Sequence, residues 1–184
     1  MKIMVINGGA RAMSRTRELT KAFEQALTKK GVEILPFDVG KDMLPVYTGS
    51  EAEMETATVK KLITFAEQAD AFIICTPEYH GSMSGALKNA LDFLGGKQFK
   101  GKPAIIGAAA GGGKGGINAL NSLRQVLRGL YTLALPDQIV VDPEHFDENL
   151  RLVNQDALER IEAMTDELLR ITRCVGRREE AAAK

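Results

Sequence analysis

Residues 71–94 read AFIICTPEYHGSMSGALKNALDFL, and the pattern of apolar residues changes within this stretch. Its first six residues, Ala71 to Thr76, are nearly all apolar, which predicts a buried strand that ends at Pro77. Between Ser84 and Leu94, leucines and alanine recur at helical spacing, which predicts a helix with one apolar face. The stretch therefore predicts a buried strand, a polar loop and a helix, in that order.

The same order repeats on both sides of this stretch. Apolar runs predict further strands at Lys2–Asn7, Val32–Asp38, Pro103–Ala110 and Leu133–Val141, the last interrupted by Pro136. Helical periodicity predicts further helices at Ser14–Lys30, Glu51–Gln68, Ile117–Leu130 and Gln155–Cys174. Strand and helix thus alternate five times along the chain, without an internal sequence repeat.

Alternating strands and helices predict an α/β fold with a parallel sheet covered on both faces. Right-handed crossovers leave the Rossmann and the flavodoxin-like strand orders, and five strands favour the second. We therefore expect a flavodoxin-like three-layer sandwich, with five parallel strands in the order 2-1-3-4-5 and helices on both faces. Residues 1–176 are predicted to form a single domain, and the charged, alanine-rich tail at residues 177–184 is assigned no function.

The composition excludes several classes of partner. Lys plus Arg and Asp plus Glu both number 24, so no net charge attracts nucleic acid or an anionic membrane. Trp is absent and aromatic residues make up 5%, which argues against a stacking platform for single-stranded bases. No cysteine or histidine pattern indicates a metal site.

The chain has neither a signal-peptide pattern at its start nor an apolar run long enough to span a membrane. Its two cysteines, Cys75 and Cys174, lie far apart and outside any CxxC pair. These features predict a cytoplasmic protein with reduced thiols, in which Cys75 is a buried strand residue rather than a reactive thiol.

In doubly wound sheets the ligand crevice lies at the carboxyl ends of the strands, so the loops after the first, third and fourth predicted strands are the candidates for a site.

The first loop, from Gly8 to Arg17, reads GGARAMSRTR and leads into a helix. Free N–H groups at a helix start bind anions, and this loop adds hydroxyl and arginine side chains without an acid. The loop is therefore predicted to bind one phosphate group, although it is neither a Walker loop nor a GxGxxG motif. An alternative interpretation stays equally open, in which Ser14 only caps the helix and the arginines are solvated.

The second loop, Thr76 to Gly85, reads TPEYHGSMSG. Tyr79 and His80 offer flat groups for an aromatic ring, and the glycines allow close approach of the backbone. The alternative is that its serines, Ser82 and Ser84, merely cap the next helix.

The third loop, Ala110 to Gly116, reads AGGGKGG and holds five glycines in six positions. Such a segment is costly to order and indicates a ligand that lies close to the main chain. Two interpretations of Lys114 stay open, a contact with a negative charge and simple solvation. The three loops together match FMN, which has a phosphate, a flat tricyclic ring and a polar pyrimidine edge.

Three motifs carry a resemblance to a known family: the strand-GG-x-R-x-x-S-x-T loop, PEYHGSMSGALKNALDFL at Pro77–Leu94 and AGGGKGGINAL at Ala110–Leu120. They resemble the NADPH-dependent FMN reductase family and, within it, the bacterial azobenzene reductases. The resemblance extends from Met1 to about Met164. It implies a flavodoxin-like fold, tightly bound FMN, ping-pong electron transfer, and a homodimer or dimer of dimers with the flavin near the subunit interface.

Carried over by position, the resemblance implies two sets of cofactor contacts. The FMN phosphate would be held by Arg11, Ser14, Arg15 and Thr16. The isoalloxazine ring would be lined by Pro77, Glu78, Tyr79, His80 and Gly81, with Gly111, Gly112 and Gly113 near its edge. The chain departs from many members at three positions, where Ala10, His80 and Ser84 replace Ser, Asn and Pro.

We therefore expect an FMN-dependent NAD(P)H oxidoreductase that passes electrons to azo compounds, quinones or free flavin. Its hydride chemistry belongs to the flavin, so no catalytic side chain is predicted. A flavodoxin-type electron carrier without turnover is the alternative, although such carriers are usually strongly acidic and this chain is neutral. An FMN-binding module without turnover also stays open. The sequence argues against a receiver domain of the same fold. Such a domain would need a carboxylate at the end of the third strand, where this chain has Cys75, Thr76 and Pro77.

Overall fold

The computed structural model describes residues 1–111 and 115–182, and it describes side chains as far as residue 176. Six strands are present among these residues: β1 (Lys2–Asn7), β2 (Glu33–Asp38), β3 (Ala71–Tyr79), β4 (Ser82–Met83), β5 (Pro103–Ala109) and β6 (Leu133–Val141). The helices are α1 (Arg15–Lys29), α2 (Glu51–Met54), α3 (Ala57–Gln68), α4 (Gly85–Asp92), α5 (Gly96–Phe99), α6 (Ile117–Gly129) and α7 (Gln155–Ala182), with a 3-10 turn at Pro143–His145.

The five long strands are parallel and lie in the order β2-β1-β3-β5-β6. With the two-residue β4 set aside, this is the predicted order 2-1-3-4-5, so the flavodoxin-like fold is confirmed. Successive residues of β1 point to opposite faces of the sheet: Ile3 and Val5 belong to one buried cluster, and Met4 and Ile6 to another.

Each face of the sheet is covered by its own helices. Helices α1 and α7 pack on one face through residues that include Leu19, Phe23 and Leu168. Helices α3, α4 and α6 pack on the other through residues that include Leu62, Leu87 and Leu123. The sandwich therefore has the three predicted layers. Among the described residues, no helix combines the length and the apolar character that crossing a membrane requires.

The third strand is longer than predicted. It continues through Pro77 to Tyr79 and then turns back to pair with β4 as an antiparallel hairpin. Beyond Cys75, β3 pairs with β5 but no longer with β1, so a residue without an N–H group is tolerated there. The prediction that Pro77 ends the strand is therefore wrong.

Two helix predictions also differ from the structure. The helix predicted at Glu51–Gln68 is two helices, because Thr56 adopts an extended conformation and starts α3 anew. The last helix does not end at Cys174 but continues to Ala182, so the backbone of residues 177–182 is helical. The division into a domain and a tail stays a prediction.

Candidate active site

A cleft of about 280 Å³ opens at the carboxyl edge of the sheet. It is lined by all three predicted loops and by a fourth segment: Arg11, Met13, Ser14, Arg15, Thr16, Pro77, Glu78, Tyr79, Ala109, Ala110, Gly111 and Leu150. The structure thus brings together eight of the twelve predicted site residues. His80 and Gly81 lie beside the cleft in the β3–β4 hairpin, and Gly112 and Gly113 lie outside the described residues.

The first loop is held by its own side chains as well as by the start of α1. Asn7, a buried residue that the sequence interpretation did not single out, accepts from the N–H of Gly9 (3.0 Å) and donates to its carbonyl (3.1 Å). Ser14 caps α1 by accepting from the N–H of Arg17 at 3.3 Å. A hydroxyl that accepts one hydrogen bond still has a proton to donate, so Ser14 can cap the helix and also face an anion.

Arg17 stabilises the conformation of this loop through hydrogen bonds. Its Nε and one terminal nitrogen donate to the Asp38 carboxylate at 2.5 and 3.1 Å, and the other terminal nitrogen donates to the carbonyls of Arg11 (3.0 Å) and Ala12 (2.7 Å). Arg17 therefore ties the loop to the end of β2, and its charge is already paired.

The Arg17–Asp38 pair changes the acidity of both groups. Burial alone would raise the pKa of Asp38, but hydrogen bonds from Arg17 and from the N–H of Gly40 outweigh burial and lower it below its ordinary value. The hydrogen bond to Asp38 raises the pKa of Arg17. The pair is therefore ionised at neutral pH.

Arg15 differs from Arg17 in having an unused donor. Its Nε is buried and finds no hydrogen-bond partner among the described residues. Its guanidinium carbon lies 6.0 Å from the centroid of the Phe146 ring, and the residue lines the cleft at the start of α1. A buried donor without a partner is costly, and the helix start adds partial positive charge, so this corner of the cleft fits an anionic group.

The second wall of the cleft comes from β3 and its hairpin. Tyr79 is 39% exposed, which leaves its ring available beside the cleft. The hairpin turns at His80 (φ 51°) and Gly81 (φ 76°), and two successive residues with positive φ are typical of a two-residue hairpin turn. The glycine here serves the turn.

Glu78 links the second wall to the third. Its Oε2 accepts from the N–H groups of Gly116 (2.7 Å) and Ala119 (3.0 Å), at the start of α6. Gly116 has φ of 94°, and a Cβ there would lie 2.6 Å from Cγ1 of Val140, so only glycine fits. Glu78 lines the cleft, and its carboxylate also caps a helix that follows it by more than thirty residues in the chain.

The two serines of the second loop have different partners. Ser84 caps α4 by accepting from the N–H of Leu87 at 3.0 Å, and it donates to the carbonyl of Gly8 at 2.6 Å. Ser82 caps no helix and instead donates to the hydroxyl of Ser122 at 3.2 Å. Ser84 therefore joins the second loop to the first.

A fourth segment, the β6–α7 loop at residues 142–154, completes the cleft and was not predicted. Phe146 and Leu152 form an isolated antiparallel bridge, and the Asp147 carboxylate accepts from the N–H groups of Asn149 (2.9 Å) and Arg151 (2.8 Å). The turn holds Leu150 at φ 61° against the cleft. The Asp and Asn residues signal a turn, but no sequence pattern places a leucine in the left-handed region.

Comparisons with known proteins show the family and the fold. The family model for NADPH-dependent FMN reductase matches residues 1–147. The chain is 45% identical over 152 residues to an NADPH azoreductase of Bacillus sp. (strain OY1-2), covering 80% of each chain. It is 32% identical over 178 residues to an FMN-dependent NADPH-azoreductase of Staphylococcus saprophyticus, covering 92% and 94%. The solved structure of FerB, a flavoenzyme NAD(P)H:(acceptor) oxidoreductase from Paracoccus denitrificans, superimposes with a TM-score of 0.77 at 22% identity over 94% and 97% of the two chains, which shows the shared fold.

Proposed function

The chain belongs to the NADPH-dependent FMN reductase family and is an oxidoreductase that uses FMN and NADPH; from this premise we propose that the cleft at the carboxyl edge holds FMN. The observation that carries the proposal is the Nε of Arg15 at the start of α1, which is buried and has no hydrogen-bond partner among the described residues. A phosphate group there would give this donor the partner that the described residues do not supply.

The phosphate contacts come from the first loop. Arg11 and Arg15 would supply charge, while Ser14 and Thr16 would supply hydroxyl donors next to the free N–H groups of α1. Arg17 holds the loop in shape through Asp38 and the carbonyls of Arg11 and Ala12, so it acts behind the site.

The ring contacts would come from the other two loops. Pro77, Glu78 and Tyr79 would line the isoalloxazine ring from β3, and Gly111 would lie at its edge, with Gly112 and Gly113 assigned on the resemblance alone. His80 and Gly81 would approach the ring from the hairpin turn. Bound FMN would supply the redox chemistry, taking hydride from the nicotinamide and giving electrons to the acceptor, and no side chain is needed as acid or base.

We assign small, flat molecules as acceptors, namely azo compounds, quinones or free flavin, reduced by a ping-pong mechanism. Both relatives described above are azoreductases, which supports the first class. Both cysteines are free thiols, which fits a reducing cytoplasm. We further propose a homodimer or homotetramer.

The test is a visible absorption spectrum of the purified protein, before and after anaerobic addition of NADPH. A flavin spectrum that bleaches with NADPH is the expected result. A flavin that does not bleach would support an electron carrier, and a protein that takes up no added FMN would contradict the proposed site. Parallel double-reciprocal lines, with NADPH varied at several fixed acceptor concentrations, would support the ping-pong order, and intersecting lines would contradict it.

A further inference from the structure

The glycine-rich third loop is fixed at both ends, and the two anchors differ in kind. At its start, the N–H of Ala110 donates to the carbonyl of Val141 at 2.9 Å, which continues the pairing of β5 with β6. At its end, Gly116 is held by the carboxylate of Glu78 through the 2.7 Å hydrogen bond. The first anchor is ordinary sheet pairing, whereas the second depends on a single side chain from another wall of the cleft.

The described residues at the start of α6 supply no side-chain cap from within that segment. Its N-cap residue is Gly116, which has no side chain, and the first N–H groups of a helix lack partners inside the helix. Glu78 supplies the acceptor for two of these groups, those of Gly116 and Ala119. Because a carboxylate at a helix start gains from charge-assisted hydrogen bonds, this contact is a strong one.

We propose that Glu78 is a positioning residue, whose carboxylate clamps the start of α6 to the end of β3 and so sets the spacing of the two walls between which the flavin binds. This inference rests on the proposed function. Glu78 and Tyr79 follow one another on β3, so the clamp ties the wall that carries Tyr79 to the end of the third loop at Gly116. A site that is formed in only a fraction of the molecules binds its ligand more weakly by that same fraction.

The proposed role depends on the length of the Glu78 side chain. Two variants separate the effect of its length from the effect of its charge. Glu78→Gln keeps a carbonyl oxygen at the same distance from the backbone and loses the charge. Glu78→Asp keeps the charge and shortens the side chain by one methylene, so that its oxygens no longer reach both N–H groups. Val126→Ala is the matched control, because it weakens the packing of α6 toward its other end and lines no part of the cleft.

Each variant is freed of flavin, and two quantities are measured on the full chain: FMN affinity by fluorescence titration, and hydrogen exchange of the Gly116 and Ala119 amides by NMR. Glu78→Asp should raise the dissociation constant of FMN on the order of tenfold and speed exchange at both amides, because part-buried donors lose their acceptor. Val126→Ala should stay within about threefold of the parent chain in both quantities. Glu78→Gln should lie between Val126→Ala and Glu78→Asp, because its neutral oxygen still reaches both N–H groups but accepts more weakly than a carboxylate.

Three outcomes would contradict the proposed positioning role of Glu78. One is faster amide exchange in Glu78→Asp with unchanged FMN affinity, which would make the contact merely structural. Another is loss of affinity in Glu78→Gln but not in Glu78→Asp, which would assign the effect to charge. The third is equal loss of affinity in Val126→Ala. If the parent chain itself binds no FMN, the proposed function fails together with the ligand half of this inference, and the amide exchange alone decides whether the clamp exists.

Discussion

At the scale of single residues, Arg15 and Arg17 are neighbouring arginines on α1 with opposite expected roles. The Nε of Arg15 is buried without a partner among the described residues, whereas Arg17 has its charge paired with Asp38. Arg15→Met should not lower the free energy of unfolding of the flavin-free chain by more than about 0.5 kcal/mol, because the buried donor that it removes is unsatisfied there and itself costs stability. The same change should weaken FMN binding by about one to two orders of magnitude, since a hydrogen bond to a charged group is lost.

The matched variant is Arg17→Met. It should lower the free energy of unfolding by about 2 kcal/mol, because it leaves the half-buried carboxylate of Asp38 without its partner. Urea unfolding and FMN titration of both variants check the pair. A large loss of stability in Arg15→Met with unchanged FMN affinity would contradict the phosphate assignment.

The two cysteines should differ sharply in reactivity. Burial raises the pKa of the Cys75 thiol, which lies fully buried in β3, while Cys174 is exposed on α7. Since the thiolate is the reactive form, a chromogenic disulfide reagent should modify one thiol per chain in the native protein and the second only after unfolding. Cys174→Ser should abolish the native reaction, and persistence of a fast phase in that variant would show that Cys75 is accessible.

At the scale of elements, the Arg17–Asp38 pair joins α1 and the first loop to β2. The folded-state pKa of Asp38 lies below its ordinary value, so the pair stabilises the fold above the unfolded-state pKa, and this stability is lost as the pH falls through the folded-state value. Asp38→Asn should therefore cost about 1 to 3 kcal/mol at pH 7, and its difference from the parent chain should shrink below about pH 4. Chemical unfolding from pH 3 to pH 7 measures this, and a difference that does not change with pH would rule out the ion pair as its cause.

The β6–α7 loop gives a second prediction at this scale. Asp147 accepts from the N–H groups of Asn149 and Arg151 and so shapes the turn that places Leu150 against the cleft. Asp147→Ala should raise the dissociation constant of FMN by about three- to tenfold through loss of that wall, and it should lower the melting temperature by no more than a few degrees. Asp147→Asn keeps an acceptor oxygen and is the control. Equal FMN affinity in all three proteins would exclude this loop from the site.

Sequence patterns predict the long elements well, because apolar periodicity reports directly which faces are buried. The runs at Lys2–Asn7 and Leu133–Val141 were assigned with the bounds that the structure gives. Sequence patterns are less informative where a side chain contacts residues that are distant in the sequence. Nothing near Glu78 in the sequence indicates that its carboxylate caps α6, and nothing near Leu150 indicates a left-handed leucine, since both depend on distant partners. The hairpin at His80 and Gly81 could be predicted from the sequence, because Gly81 and Ser82 are adjacent and both residue types favour turns.

At the scale of the whole molecule, apolar side chains lie exposed around the cleft. Met13 follows β1, and Met43, Val46 and Tyr47 follow β2; β1 and β2 are adjacent parallel strands, so both loops lie at the carboxyl edge of the sheet. Asn89 of α4 holds the β2–α2 loop by accepting from the N–H of Tyr47 (2.9 Å) and donating to the carbonyl of Pro45 (2.8 Å). A fixed apolar surface of this kind is typical of an interface.

We expect this surface to contact a second copy of the chain, as the resemblance to FMN reductases implies. Light scattering of the purified protein should give a mass above that of one 20.0 kDa chain, and Val46→Lys should reduce it to a single chain, because a charge at this 76% exposed position would be desolvated in the interface. Tyr131→Lys, at the opposite edge of the sheet and 68% exposed, is the control and should leave the mass unchanged. If the interface also completes the cleft, the single-chain form should bind FMN more weakly, whereas equal affinity would show that one chain is sufficient to form the site.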